Sequence, residues 1–293
     1  MGKILEKLRS SGALTSDGAW GTLLQARGLK PGECPESWNL DHPNEVLAIA
    51  KQYIEAGADM IETNSFGGSS IKLRHYGLDK KVTEINCKAA ELSRLAAGKD
   101  KIVLGSVGPT GKILMTGEVT EEELYKVFKE QSIALANGGA DAIVVETMSD
   151  LDEARIAVKA ACENTPCEVI CTMTFENTVT GVYRTMMGIS PSEMVQVLKE
   201  AGACIIGANC GNGIAGMIVI VREIRSIDKD IPVLIHANAG LPQYINGKTV
   251  FPETPEQMAG FVPALVAAGA NIIGGCCGTT PRHIQLIADA LRS

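Results

Sequence analysis

"EAGADMIETN", residues 55–64, is the stretch that decides the fold, because its pattern returns three times. The other copies are "NGGADAIVVET" at 137–147, "EAGACIIGANC" at 200–210 and "AAGANIIGGCC" at 267–277. Each reads as the last turn of a helix, a glycine stop and a short apolar run. Glycine is favoured just past a helix because it takes left-handed backbone without a Cβ clash, and a continuous apolar run suits a strand covered on both faces. Before the first copy, in "PNEVLAIAKQYIEAG", Val46, Ile49, Ala50, Tyr53 and Ile54 recur at helical spacing. The repeating unit is therefore helix, tight turn, strand.

Four further strands fit between the copies, near 13–17, 101–108, 168–175 and 232–240. Helix starts are marked by capping boxes at Thr120/Glu123, Ser190/Glu193 and Thr254/Gln257, with Pro191 and Pro255 at the first helical position. Eight alternating units predict an α/β chain folded as a single-domain (β/α)8 TIM barrel over residues 1–293, not an open sheet. The polar stretches near 176–189 and 241–253 are expected to be strand-to-helix loops.

The chain has 293 residues, 45% of them hydrophobic and only 4% aromatic, so the expected core is large and aliphatic. A net charge of −7 and a pI near 5.3 argue against a nucleic-acid footprint or an anionic membrane surface. No apolar run approaches the roughly 20 residues of a membrane span. The opening "MGKILEKLRSSGAL" carries Lys3, Glu6, Lys7 and Arg9, which leaves no apolar core for a signal peptide. Nine cysteines in a chain of this kind point to packing, redox chemistry or metal in a reducing compartment, and the cytoplasm is the expected location.

In a barrel of this type chemistry gathers at the C-terminal ends of the strands. Those ends read Asp17, Glu62-Thr63-Asn64, Pro109, Glu146-Thr147, Thr174, Asn209-Cys210, Asn238 and Cys276-Cys277. Cys210 would face Cys276 and Cys277 across the seventh strand. Three thiolates without an obvious fourth protein ligand suit Zn²⁺ with an open position, and no CxxC pair is present to build a closed structural site. Two plainer readings compete: a strained vicinal Cys276–Cys277 disulfide, and three unrelated packing cysteines. Cys34, Cys87, Cys162, Cys167, Cys171 and Cys204 are read as packing residues, Cys171 and Cys204 inside strands. The helix after the cysteine pair is expected to start at "TTPRH", with Thr280 as N-cap.

"GNGIAG" at 211–216 matches G-x-G-x-x-G, but it follows a candidate ligand in the sixth of eight units. A turn that lets Cys210 reach a metal accounts for it better than a dinucleotide site. His42, His75, His236 and His283 show no ligand spacing, and His236 is read as a packing residue within the seventh strand. Glu146, a carboxylate closing a strand, is a stronger functional candidate than Asp17, which alone could cap a turn.

At these positions the chain resembles the homocysteine S-methyltransferase family. The likeness runs through "DGAWGT" at 17–22, "ETNSFG" at 62–67, "GSVGPTG" at 105–111, "VVETMSDLDEA" at 144–154, "ANCGNG" at 208–213 and "GGCCGTTP" at 274–281. "NAGLPQYINGKTVFPETP" at 238–255 is similar to the homocysteine-binding module of cobalamin-dependent methionine synthase. The resemblance implies Zn²⁺ on Cys210, Cys276 and Cys277, homocysteine sulfur as fourth ligand, and methylation of that sulfur to methionine. It implies that Asp17 and Glu146 hold the substrate ammonium, that the amides of Gly18 and Ala19 receive its carboxylate, and that Asn238 fills the open zinc position without substrate. The expected methyl donor, on the likeness to that module, is methylcobalamin carried by a corrinoid partner protein, the eighth helix reaching the last residues; a fragment of a larger synthase would end in the same way. S-methylmethionine, S-adenosylmethionine and betaine are the alternatives, with Gly67 standing where betaine enzymes of the family have a tyrosine. A zinc-binding structural or storage protein is the non-enzyme alternative.

Overall fold

Eight parallel strands run round one barrel: β1 (Leu14–Thr15), β2 (Met60–Glu62), β3 (Ile102–Val107), β4 (Ala142–Met148), β5 (Glu168–Met173), β6 (Ile205–Gly213), β7 (Val233–Asn238) and β8 (Ile272–Gly275). This is the α/β TIM barrel expected from the repeats. The computed structural model describes residues 2–245 and 247–293; Met1 and Asn246, which fall within stretches quoted above, lie outside them. A helix follows every strand: α1 (Pro43–Glu55), α2 (Val82–Ala97), α3 (Glu121–Asn137), α4 (Leu151–Asn164), α5 (Pro191–Ala201), α6 (Ile214–Ile227), α7 (Pro255–Ala268) and α8 (Pro281–Arg292). Among the described residues no helix is long and apolar enough to cross a membrane.

The four repeated phrases close their helices in one way. Gly57, Gly139, Gly202 and Gly269 have φ of 98°, 103°, 110° and 111°, backbone that a side chain would strain. Each glycine carbonyl is then capped from another helix: by Arg292 at Gly57, Arg94 at Gly139, Cys162 at Gly202 and Arg225 at Gly269. Two residues on, Asp59, Asp141 and Asn271 accept the amides of Thr15, Val103 and Val233 on the neighbouring strand. These side chains set the strand register at the foot of the barrel.

Leu14, Met60, Leu104, Val144, Ile170, Ile205, Leu234 and Ile272 fill the barrel interior and pack with Ile4 and Leu8. The latter two belong to an N-terminal helix, Lys3–Ser11, that plugs the barrel floor. Glu168, at the foot of β5, accepts the amides of Ile4 (2.7 Å) and Leu5 (3.1 Å), placing an anion at that helix's positive end. Because α8 runs from the mouth to the foot, where Arg292 caps Gly57, both chain ends lie on the floor face.

Four expectations need adjustment. β1 covers only Leu14–Thr15, not 13–17, because its junction with β2 is made by aspartates. At the foot Asp59 N–H reaches Thr15 O (2.7 Å), and at the mouth Asp17 Oδ2 accepts Glu62 N–H (3.0 Å). β6 continues to Gly213 through an irregularity after Asn209, so the "GNG" stretch is a bulged strand end. Cys204 precedes β6 instead of lying within it, and both long polar loops carry short hairpins, Glu176–Asn177 with Tyr183–Arg184 and Gln243–Ile245 with Lys248–Val250. The capping boxes at Thr120, Ser190 and Thr254 form as expected.

Candidate active site

The C-terminal strand ends enclose a cavity of about 260 Å³. Cys210, Cys276 and Cys277 lie at one side of it, their sulfurs all within 4.8 Å of one another. The backbone explains how. Cys210 has φ +57° and is followed by Gly211 at +65°, so the bulge turns its side chain out of the strand's alternation. β8 stops at Gly275, which frees the next two residues from opposite-face geometry. Cys276 N–H then bonds Ala237 O (2.7 Å), Cys277 O accepts Ala239 N–H (3.0 Å), and Thr279 Oγ1 bonds Cys276 O (2.8 Å). Both sulfurs of the pair can therefore face the same partner. All nine cysteines are free thiols, so the vicinal disulfide is absent.

The three sulfurs set one another's ionisation. Hydrogen bonds from Cys276, then Cys277, hold the Cys210 thiol down at about 2, with help from Gly211 N–H and Asn238. Donation to Cys210 pushes Cys277 up to about 11 and Cys276 well above the ordinary thiol range. One negative charge is thus shared among three sulfurs, and ionising all three at this spacing would need a positive ion among them. Asn238 donates a hydrogen bond to Cys210 through its side-chain amide, while its Oδ1 is buried without a partner; it is not among the described cavity-lining residues. A donor set of three convergent cysteine sulfurs fits Zn²⁺.

Acidic groups form the other side. Glu146 lines the cavity at 6% exposure, with Oε1 accepting from Ser106 Oγ and Oε2 3.5 Å from Asn209 Nδ2. Burial, then the charge of Glu62, raises its carboxyl well above the usual range. Burial and Glu62 push Asp17 up to about 8, and burial pushes Glu62 to about 8. Burial lowers His236, whose Nδ1 is 3.3 Å from Glu62 Oε1. No Lys or Arg is among the described lining residues.

Asn209 ties these parts together. Its Oδ1 accepts Thr147 N–H (2.8 Å) and Thr172 Oγ1 (2.7 Å), while Nδ2 donates to Thr147 Oγ1 (2.7 Å). Among the described residues Thr147 and Cys210 are the non-glycine residues with positive φ, and Asn209 holds one and precedes the other. Strain is concentrated at the cavity wall.

Of the sequence-derived candidates, Cys210, Cys276, Cys277, Glu146, Gly18 and Ala19 line the cavity. Asp17 is fully buried behind the wall, its Oδ2 taken by Glu62 N–H and Trp20 Nε1. Ala19 N–H is bonded to Thr279 Oγ1 (3.0 Å), so of the two amides expected to receive a carboxylate this one is engaged within the protein. His236 is a cavity residue, not a packing one, and Nε2 has no partner. Glu62 also went unassigned, although it closes β2 as Glu146 closes the apolar run of β4. The N-terminus of α6, where a dinucleotide phosphate would sit, faces Glu253, whose Oε2 lies 3.4 Å from Ile214 N. Thr280 caps α8 through the ring of His283.

The homocysteine S-methyltransferase family profile matches residues 14–291. Methionine synthase of Mycobacterium tuberculosis is 32% identical over 304 residues, covering 96% of this chain and 25% of its own length. Methionine synthase of Mycobacterium leprae is 32% identical, with 95% and 24% covered. The chain thus spans about a quarter of the length of these relatives. Among solved structures, the metallated form of homocysteine methyltransferase MmuM from Escherichia coli superposes with a TM-score of 0.80 at 23% identity, covering 98% of this chain and 99% of that one.

Proposed function

Since this chain belongs to the homocysteine S-methyltransferase family, we propose that residues 1–293 form a homocysteine-binding domain that methylates the substrate sulfur to give methionine. The observation that carries this reading is the convergence of Cys210, Cys276 and Cys277 at one side of a cavity whose other side is acidic. These three residues would hold Zn²⁺, with Asn238 Oδ1 as the replaceable donor.

A free thiol ionises at a pKa of roughly 8.5, so homocysteine is mostly unreactive at neutral pH. When bound, Zn²⁺ supplies the Lewis acidity that ionises the thiol. The three cysteine thiolates outweigh the dication's charge and keep the incoming sulfur electron-rich. Glu146 binds the ammonium group, with Asp17 adding negative charge from behind the wall. Gly18 N–H serves the carboxylate. So anchored, the sulfur attacks the methyl carbon in line: the new C–S bond forms as the bond to the donor breaks, and its electron pair leaves with the donor.

The proposed donor is methylcobalamin held by a corrinoid-binding partner in the cytoplasm, supported by the likeness to about a quarter of the length of two methionine synthases. Zinc-loaded protein and homocysteine, offered free methylcobalamin, S-methylmethionine, S-adenosylmethionine or betaine in turn, test it. Methionine formed from methylcobalamin is expected; turnover with S-methylmethionine alone would reassign the donor. Zinc bound without any response to homocysteine would leave the storage reading.

A further inference from the structure

We propose that Glu62 is the principal carboxylate for the substrate's amino group, a role that rests on the homocysteine reading above. Four carboxylates stand in or behind the cavity wall, and they differ in what their oxygens already do: both oxygens of Glu36 are taken, Oε1 by Gly67 N–H (2.7 Å) and Oε2 by Cys34 Sγ (3.3 Å). Asp17 is fully buried, with Oδ2 bonded to Glu62 N–H and Trp20 Nε1. Glu146 Oε1 is bonded to Ser106 Oγ. Glu62, by contrast, lines the cavity with its Oε1 buried and without a hydrogen bond, the imidazole of His236 being its one charged-pair neighbour among the described residues.

A buried carboxylate oxygen left unsatisfied is costly unless a ligand supplies the missing donor. An ammonium group carries three N–H donors and a positive charge, and it is the group of an amino acid that matches this oxygen. The backbone on either side of the side chain is fixed, since Glu62 N–H bonds Asp17 and Glu62 O accepts Ser93 Oγ (2.9 Å). His236 Nδ1, 3.3 Å from Oε1, stands beside it. No lining Lys or Arg competes for the carboxylate. Asp17 then orients Glu62 and contributes charge from behind, and Glu146 provides a second oxygen for the same cation.

The test compares two thiols on zinc-loaded protein by calorimetry: homocysteine, and 4-mercaptobutyrate, which lacks only the amino group. Wild-type protein is expected to bind homocysteine more tightly. Glu62→Gln, which keeps the shape and removes the charge, is expected to weaken homocysteine about ten- to a hundredfold while leaving 4-mercaptobutyrate within about twofold. Glu62→Asp, if Glu62→Gln fails to fold, should show the same selective loss at smaller size. Equal losses for both thiols, or no loss for homocysteine, would overturn the assignment while leaving the homocysteine reading intact. Wild-type protein that binds neither thiol would overturn both.

Discussion

Cys210 combines left-handed backbone with a thiol held at about 2 by its two partners, so its role depends on the whole trio. Removing Cys277 should therefore lower zinc content below stoichiometry and abolish proton release from the thiol on homocysteine binding. Metal analysis and calorimetry in buffers of different ionisation enthalpy would show this, and normal release from a zinc-free Cys277→Ala variant would refute it. The acidic side gives a pH signature. Carboxyls raised to about 8 at Asp17 and Glu62 are largely neutral at pH 7, so an arriving ammonium must drive protons off them. Homocysteine affinity should rise as pH climbs from 6 towards 8, and more than the single thiol proton should be released at pH 7. A flat profile would contradict it. The adjacent cysteines were legible at this scale because two consecutive ligands make sense only past a strand's end. Glu62 was equally visible by position, but the missing partner of its Oε1 is a fact of three-dimensional packing. The engagement of Ala19 N–H depends on Thr279, 260 positions away.

Elements are held by their ends. Arg225, from the last turn of α6, bonds Gly269 O, Asn271 Oδ1, Ile231 O and Asp228 O, so it fixes the start of β8 as well as its own loop. Arg225→Ala should cost about 2 kcal/mol, read from denaturant midpoints, without changing zinc content. Gly207 in β6 is a second sensitive point: a Cβ there would lie 1.7 Å from Leu234 O on β7. Gly207→Ala should prise β6 from β7 and cost at least about 1–3 kcal/mol, with zinc affinity falling because Cys210 lies on the same strand. The glycine stops and apolar runs of the four repeats could be read locally, because each feature depends on near neighbours. The cap on each glycine carbonyl comes from another helix and leaves no local trace.

The whole barrel was predictable from the count of alternating units, since eight such units close on themselves. Its plug was not. The Lys3–Ser11 helix is anchored by Glu168, some 164 residues away, and its apolar positions look unremarkable until Ile4 and Leu8 are placed beneath the strands. Deleting residues 2–11 should lower stability by about 3–6 kcal/mol through exposure of those two side chains and the floor beneath them. A melting temperature unchanged by the deletion would show that the floor is sealed otherwise.

The floor also holds both termini, while the sulfurs open on the far side. Any module joined to either end begins its path a full barrel height from the chemistry and must arch round the flank to reach it. Linker length, not surface affinity alone, would then govern how often such a tethered carrier visits the mouth. A resin or fluorophore attached at those same ends would leave the entrance clear.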